Sequence, residues 1–395
     1  MTAGDPADNP FGGLPMFGDL SRAMSGQGPL NWDAAKQFAH LAATANSPES
    51  NVDPTTRIAL QELARIVEPH VAAAMGRDVG GDEILTVTPG VWAQETLDAY
   101  RPLFTELAVS LGKRPVSDDG ADDNSDDPMA AMMLGLSQMM APAMLGMAIG
   151  SMVGHLATRA FGQYDLPIPR AIGRRISIVP GTVDSFADDW SLPRDSMRLW
   201  VLVQELTTHV VLSVGHIHTD LSELVRSHVA AFRSDPSAVA EKLSSIEFEG
   251  DDPMKALQRT LGDPEILLGA VRSPEQEALQ PRLDAAVAAV VGYVDHVVDQ
   301  VATRLIGGDA GRIAEAVRRR RLETSPDDVF VERLLGLHLT QQHVERGRAF
   351  IAGVVERGSS DAANKLLDLP GALPTPAEID APGLWLARLE FSPES

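Results

Sequence analysis

The sequence predicts a mainly α-helical protein with a small β element. A long segment from Ser273 places apolar residues at the three- and four-residue spacing of a buried helix face. These residues are Leu283, Val287, Val290, Val294, Val297, Val301 and Leu305. Only residues 175–179, between Gly173 and Pro180, have the composition and boundaries of a strand. The 395 residues are 44% hydrophobic, which is enough for one large or two ordinary domains with a real core.

Helix starts and apolar spacing predict the remaining elements in chain order. Asn31 is the expected N-cap of the first helix, and Ser273-Pro-Glu-Gln276 has the form of a capping box. The expected helices cover residues 54–67, 90–111, 199–214, a long stretch from 273, 311–321 and 326–355, before a Pro-rich tail.

Residues 129–158 form an uncharged, Met-rich run as long as a membrane-spanning helix. Pro142 divides this run, small residues dilute its hydrophobicity, and no aromatic belt or basic cluster flanks it. We therefore expect two short helices, buried as a hairpin with close contacts at Gly146, Gly150 and Gly154, and no membrane span. Because Met adapts to irregular surfaces, this segment is also where we expect an unknown protein partner.

Composition divides the chain into four parts. Residues 1–28 lack periodicity and are predicted to be a disordered or loosely ordered tail. Residues 29–116 form an N-terminal helical region, and 117–128 form an acidic linker without the register of a calcium loop. Residues 129–390 form the main helical domain.

Charge and the absence of cysteine exclude several functions. The 55 acidic and 33 basic residues give a formal charge of -22, which disfavours nucleic-acid binding. The dense basic run 318–321 is interpreted as cations at a helix C-terminus. No Cys is present, so disulfides, thiolate metal sites and cysteine nucleophiles are excluded. Together with an N-terminus that lacks the pattern of a secretory signal, this leads us to expect a cytoplasmic protein.

The 199–214 helix is apolar on nearly every side and carries Glu205 in its middle. A buried carboxylate needs a partner, for which His209 or an arginine is expected. The frame Gln204-Glu205-x-x-Thr208 is that of the zinc-hydrolase motif H-E-x-x-H with both histidines replaced. In the intact motif the histidines hold zinc and the glutamate is the general base. The base position is therefore filled, whereas the ligand positions are not.

Several segments, taken in order and spacing, resemble a bacterial zincin-like family of zinc-dependent metallopeptidases and hydrolases. They are NPFGG followed by GPLNWDAAKQ, DLPIP, LPRDSMRLWVLVQELTTH, VVGYVDHVV, EAVRRRRLE, LLGLHL and LPTPAEIDAPGLWL. The resemblance spans most of the chain. It implies a largely helical, zincin-like α+β domain over residues 129–390.

The resemblance also implies three zinc-ligand positions, at Gln204, Thr208 and Val291. Valine cannot bind zinc, and Gln and Thr are poor ligands for it. The favoured interpretation is therefore a degenerate pseudoenzyme without a cofactor, inactive or impaired, that acts as a scaffold or interaction protein. The alternative is an active zinc-dependent metallohydrolase, with Glu205 as general base.

That alternative needs a shifted ligand set on one continuous helix. Glu205, His209 and His216 would share a helix face, with His218 or His296 nearby. The simpler arrangement, which the residues favour, pairs His209 with Glu205 and places His216 on a loop beyond Gly215.

Overall fold

Helices form most of the structure. The computed structural model describes residues 28–112, 128–234, 270–271, 273–322 and 330–391. Its helices are α1 (Trp32–Thr44), α2 (Pro54–Met75), α3 (Pro89–Ala99), α4 (Arg101–Leu111), α5 (Pro128–Ala157), α6 (Pro180–Asp189), α7 (Arg194–Ser213), α8 (Gly215–Ala230), α9 (Pro274–Leu305), α10 (Asp309–Leu322), α11 (Phe330–Leu334), α12 (Gln341–Arg357), α13 (Ser360–Asp368) and α14 (Pro382–Phe391). Its strands are β1 (Glu83–Thr86), β2 (Arg175–Ile178), β3 (Arg233–Ser234) and β4 (Ala270–Val271). The predicted fold class, mainly α with a small β element, is confirmed.

Two predicted segments lie outside the described residues. They are the tail 1–28, except residue 28, and the acidic linker 117–128, except residue 128.

Side-chain caps fix the starts of α1 and α9, and both predictions are confirmed. The Oδ1 atom of Asn31 accepts a hydrogen bond from the N–H of Ala34 at 3.0 Å. At α9, the Ser273 hydroxyl accepts from the N–H of Gln276 at 3.2 Å, and the Gln276 side chain accepts from the N–H of Ser273 at 3.2 Å. Each cap satisfies N–H groups that the first helical turn leaves without a partner.

The Met-rich segment is one helix, α5, so the predicted hairpin of two short helices is wrong. The close glycine contacts are confirmed, because Gly146, Gly150 and Gly154 lie against the backbone of α1. The Pro142 carbonyl accepts a hydrogen bond from the N–H of Asn31 at 3.0 Å, where α1 begins. Packing against α1 thus keeps α5 helical on both sides of Pro142. These tertiary contacts outweigh the tendency of a proline to break a helix.

A small parallel sheet lies beside the helices. β1 and β2 pair in parallel, from Glu83 opposite Arg175 to Thr86 opposite Ile178. The predicted strand at 175–179 is confirmed, whereas β1 was not predicted. Gly162 forms an antiparallel bridge with Ile178, so residues 161–165 (the Gly162 segment) run along the outer side of β2. This segment also contacts α7, and it forms part of the site.

Two predicted helices differ from the structure near a proline. α2 continues past the expected end at residue 67 to Met75, with Pro69 inside it. The predicted helix 90–111 is instead two helices, α3 and α4, which meet at Tyr100 before Pro102. A proline in the first turn of α4 loses no intrahelical bond, so Pro102 favours a new helix start at this point.

The C-terminal part is more folded than predicted. The expected helix 326–355 is two helices, α11 and α12, separated by a loop in which Gly336 has φ +75°. That conformation favours glycine and ends the first helix. The expected Pro-rich tail contains α13 and α14, and the indole of Trp385 is fully buried with its N–H donated to the Ala372 carbonyl at 2.6 Å.

The long helix α9 lies at the centre of the core, where it contacts α2, α7, α8 and α12. Gly292 of α9 and Gly347 of α12 let these two backbones approach closely. Among the described residues, two helical stretches are long and apolar enough to cross a membrane. Met140–Ala157 is 50% buried inside the fold, and an 18-residue window of Pro274–Leu305 is 78% buried. This burial is consistent with a soluble protein.

We predict that a single methyl group at Gly150 destabilises the protein. An added Cβ would overlap the Ala35 carbonyl, which belongs to helix backbone and cannot move freely. Gly150→Ala should therefore cost about 1–3 kcal/mol, the usual range for overpacking. Gly181→Ala is the matched control, because nothing lies within 4 Å of that position and it lies within α6. The control should be neutral or more stable by about 0.5–1 kcal/mol. Equal unfolding free energies for both variants in urea would contradict the close contact.

Candidate functional site

Glu205 lies in the middle of α7 and is only 1% exposed. In place of the expected histidine or arginine, the backbone N–H of Tyr164 donates a hydrogen bond to its Oε2 atom at 2.9 Å. The carboxyl group rests against Gly162, where an added Cβ would lie 2.5 Å from the Glu205 Cδ atom. The Gly162 segment therefore covers Glu205 and separates it from solvent.

Burial sets the protonation state of Glu205. Removal from water raises its pKa to about 8, although the N–H groups of Tyr164 and Gln163 and the charge of Arg170 act in the opposite direction. The nearby charge of Asp165 adds to the increase. At neutral pH the side chain is mostly a neutral carboxylic acid, so it needs no cation beside it.

His209 binds groups other than Glu205. Its Nδ1 atom lies 2.8 Å from the Tyr164 hydroxyl, and its Nε2 atom lies 3.6 Å from Oδ2 of Asp82. Burial lowers the pKa of His209, against the opposite effect of the Asp82 charge. Tyr164 thus binds α7 twice, through its N–H at Glu205 and through its hydroxyl at His209.

The structure does not bring His216 to Glu205, because α7 ends at Ser213 and Val214 is extended. The loop predicted beyond Gly215 is wrong, since Gly215 begins α8 and His216 lies in the first turn of that helix. The Nε2 atom of His216 lies 3.1 Å from the Leu366 carbonyl. The other two histidines considered from the sequence also bind elsewhere, His218 at the Arg170 carbonyl and His296 at the Gln300 side chain. Nothing in this geometry supports the shifted ligand set His209 and His216.

Gln204, Thr208 and Val291, the three ligand positions that the resemblance implies, all line one cavity of about 350 Å³. Its walls come from α7, α9, α10, the Gly162 segment and the 332–344 region. The valines and leucines of the lining are Val290, Val291, Val294, Val317, Leu337, Leu339 and Val344. Glu205 is not among the lining residues, so its carboxyl group lies behind the cavity wall.

These three residues do not fit a zinc ion. Val291 has no donor atom, and the Thr208 hydroxyl donates to the Gln204 carbonyl at 2.7 Å. Among the described residues, no donor reaches the buried Oε1 atom of Gln204. A neutral amide, a hydroxyl and an isopropyl group replace the imidazole and carboxylate ligands of a zinc hydrolase.

Charged groups form the polar part of the cavity. Arg159 and Glu332 form an ion pair at 3.1 Å. The guanidinium of Arg320 lies 3.7 Å from the centroid of the Phe161 ring and donates to the Arg159 carbonyl. The basic run 318–321 thus contributes one cation to the site, a role that the sequence analysis did not assign. The cavity combines an apolar wall with charges of both signs.

A cluster of possible metal ligands was also not predicted from the sequence. Asp284, His338 and His343 place one ligand atom each within 4.8 Å of one another. In the described part of the chain, these are the His and Asp side chains that lie close enough together to hold a metal ion. His338 also lines the cavity.

Comparisons with known proteins identify the family of the chain and a structure with a similar fold. The family described as zincin-like metallopeptidase matches residues 30–386, so the chain belongs to that family. A crystal structure of a putative hydrolase with a novel fold from Chloroflexus aurantiacus is similar, with a TM-score of 0.64 and 20% identity. The match covers 92% of this chain and 99% of that one, and it shows a shared fold. No curated protein matches.

We predict that three substitutions restore a zinc site in the cavity. The triple variant Gln204→His, Thr208→His, Val291→Glu places two imidazoles one helical turn apart and a carboxylate on the facing helix. It should hold about one more equivalent of zinc per chain than the parent, measured by elemental analysis after removal of free metal. The double variant that keeps Val291 should hold the added zinc less tightly. An unchanged zinc content in the triple variant would contradict the assignment of these positions.

We predict that Glu205 makes stability depend on pH. Its folded pKa is higher than its unfolded pKa, so its contribution to stability is fully present below about pH 4.5 and is lost as pH rises toward 8. Glu205→Gln keeps the shape and a carbonyl acceptor for the Tyr164 N–H but cannot ionise. Between pH 5.5 and 8.5 the parent should lose about 3 kcal/mol of unfolding free energy relative to this variant. Parallel pH profiles for the two proteins in urea unfolding would show that Glu205 titrates normally.

Proposed function

We propose that this member of the zincin-like metallopeptidase family binds a peptide-like ligand in the cavity at Gln204, Thr208 and Val291 without cleaving it. The observation on which the proposal rests is that the general-base residue is separated from the metal-ligand positions. The ligand positions line the cavity but carry no zinc ligands, and Glu205 lies behind the wall, hydrogen-bonded to backbone. A general base must reach the water that it activates, and Glu205 is not placed to do so.

The chemistry of the cavity supports a peptide-like ligand. The buried Oε1 atom of Gln204 requires a donor such as a peptide N–H, since an unsatisfied buried acceptor costs about 1–3 kcal/mol. The valine and leucine wall suits an aliphatic side chain. The ion pair between Arg159 and Glu332 offers both signs of charge to the polar groups of a peptide. A volume of about 350 Å³ lies within the usual range of ligand pockets.

The cavity is a better-supported binding place than the Met-rich segment 129–158. From residue 140 onward that segment packs on α1 through its glycines, which leaves less of it for a partner. An active hydrolase with the ligand set His209 and His216 receives no support from the positions of these rings.

We predict that the 395-residue chain selects peptides from a display library of random heptapeptides and leaves them intact. Gln204→Leu removes the acceptor at nearly constant volume and should weaken binding of the selected peptides about 10-fold. Val291→Phe should fill the cavity and abolish binding. Gln300→Leu is the matched control, because this residue lies on α9, bonds His296 and does not line the cavity.

Fluorescence polarisation with labelled peptides measures the binding, and mass spectrometry of the same mixtures measures cleavage. Cleavage that Glu205→Gln abolishes would show an active hydrolase and contradict the proposal. Binding that survives both Gln204→Leu and Val291→Phe would place the peptide elsewhere.

A further inference from the structure

We propose that Asp284, His338 and His343 form a binding site for one divalent transition-metal ion, with Zn²⁺ preferred, at the edge of the cavity. The three residues come from different parts of the fold. Asp284 is on α9, His338 is in the loop after α11, and His343 is in the first turn of α12. This site uses none of the three degenerate ligand positions, which are Gln204 and Thr208 on α7 and Val291 on α9, and it does not depend on the proposed peptide binding.

The distances between ligand atoms suit a tetrahedral ion. The Nδ1 atom of His338 lies 3.3 Å from Oδ1 of Asp284, and the Nε2 atom of His343 lies 3.5 Å from Oδ2. Two ligand atoms that each lie about 2.1 Å from a tetrahedral ion are about 3.4 Å apart. The two measured distances run to different oxygens of the carboxylate, and one ligand atom from each of the three residues lies within 4.8 Å of the others. Side-chain rotations that bring these atoms closer together would place all three around one ion.

Hydrogen bonds orient two of the three ligands as in known metal sites. The Nδ1 atom of His343 lies 2.7 Å from the Thr340 hydroxyl, which leaves its Nε2 atom for the metal. Gln280 donates to Oδ1 of Asp284 at 2.7 Å. Such outer partners fix the ring orientation and the tautomer of a metal-binding histidine.

The charge state also suits a cation. Burial alone would raise the pKa of Asp284, but hydrogen bonds from His338 and Gln280 lower it, and the proximity of the two imidazoles acts in the same direction. The carboxylate is therefore ionised at neutral pH. Two imidazoles and a carboxylate form a recognised zinc set, whereas Ca²⁺ and Mg²⁺ prefer oxygen ligands alone.

Such an ion would connect α9 to the 335–340 loop and to α12. Leu337, His338, Leu339 and Thr340 of this loop line the cavity. The loop otherwise binds α9 through Gln280, whose amide donates to the Gly336 carbonyl at 2.9 Å. The ion would therefore hold one wall of the cavity in place. Three protein ligands leave the fourth coordination position of the ion for water or for an atom of a molecule bound in the cavity.

The test is a Zn²⁺ titration of the full chain after removal of metal with a chelator. We expect about one equivalent per chain by calorimetry and elemental analysis, and a melting temperature that rises with Zn²⁺ concentration. Co²⁺ in place of Zn²⁺ should give the visible absorption of a tetrahedral site. Asp284→Asn and His343→Ala should weaken binding on the order of 100-fold, and Thr340→Val about 10-fold.

His296→Ala is the matched control, because this half-buried histidine of α9 bonds only within its helix to Gln300 among the contacts described. It should leave Zn²⁺ binding unchanged. Circular dichroism of each metal-free variant separates loss of binding from loss of fold. Absence of stoichiometric Zn²⁺ binding, or equal binding by the parent and by Asp284→Asn and His343→Ala, would overturn the proposal. The three residues would then be a hydrogen-bonded ion cluster without a metal.

Discussion

The buried carboxyl group of Glu205 is the constraint on which the site depends. The Gly162 segment covers it and is held at several points. Tyr164 binds α7 twice, Gly162 bridges to Ile178 of β2, and the indole N–H of Trp92 donates to the Gly162 carbonyl at 2.7 Å. The small sheet and α7 are thus joined through one short stretch of chain. The same stretch forms a wall of the cavity and keeps the carboxyl group out of it.

Local signals in the sequence predicted part of the fold well. The caps at Asn31 and Ser273 satisfy nearby N–H groups, so neighbouring residues decide them. The glycine spacing at 146, 150 and 154 predicted a close helix contact. The partner of that contact and the continuity of α5 through Pro142 depend on packing against α1, which local propensity does not contain. β1 was missed because its pairing with β2 joins residues about ninety positions apart.

The part of the candidate site that lies on one helix was predictable from residue spacing. Gln204 and Thr208 are one turn apart on α7, so a shared face followed from the spacing, and the resemblance placed Val291 opposite. The cover over Glu205 was not predictable, because the Tyr164 N–H comes from a segment forty-one residues earlier in the chain. The cluster Asp284, His338 and His343 was missed since its histidines are five residues apart, which is not a helical spacing. The segment His338-Leu-Thr-Gln-Gln-His343 was the available signal.

The central position of α9 has a consequence for the order in which the protein acquires its structure during synthesis. Its surroundings include α2, α7 and α8, which leave the ribosome earlier, and α12, which leaves it later. Among the described residues, Gly347 of α12 packs against α9 at Ala288 and Gly292, so this face of α9 lacks that contact in the nascent chain until α12 emerges. Incomplete chains with exposed apolar surface tend to aggregate. Chains that stop after α10 should therefore depend on chaperones, even though most of the helical core is already present in them.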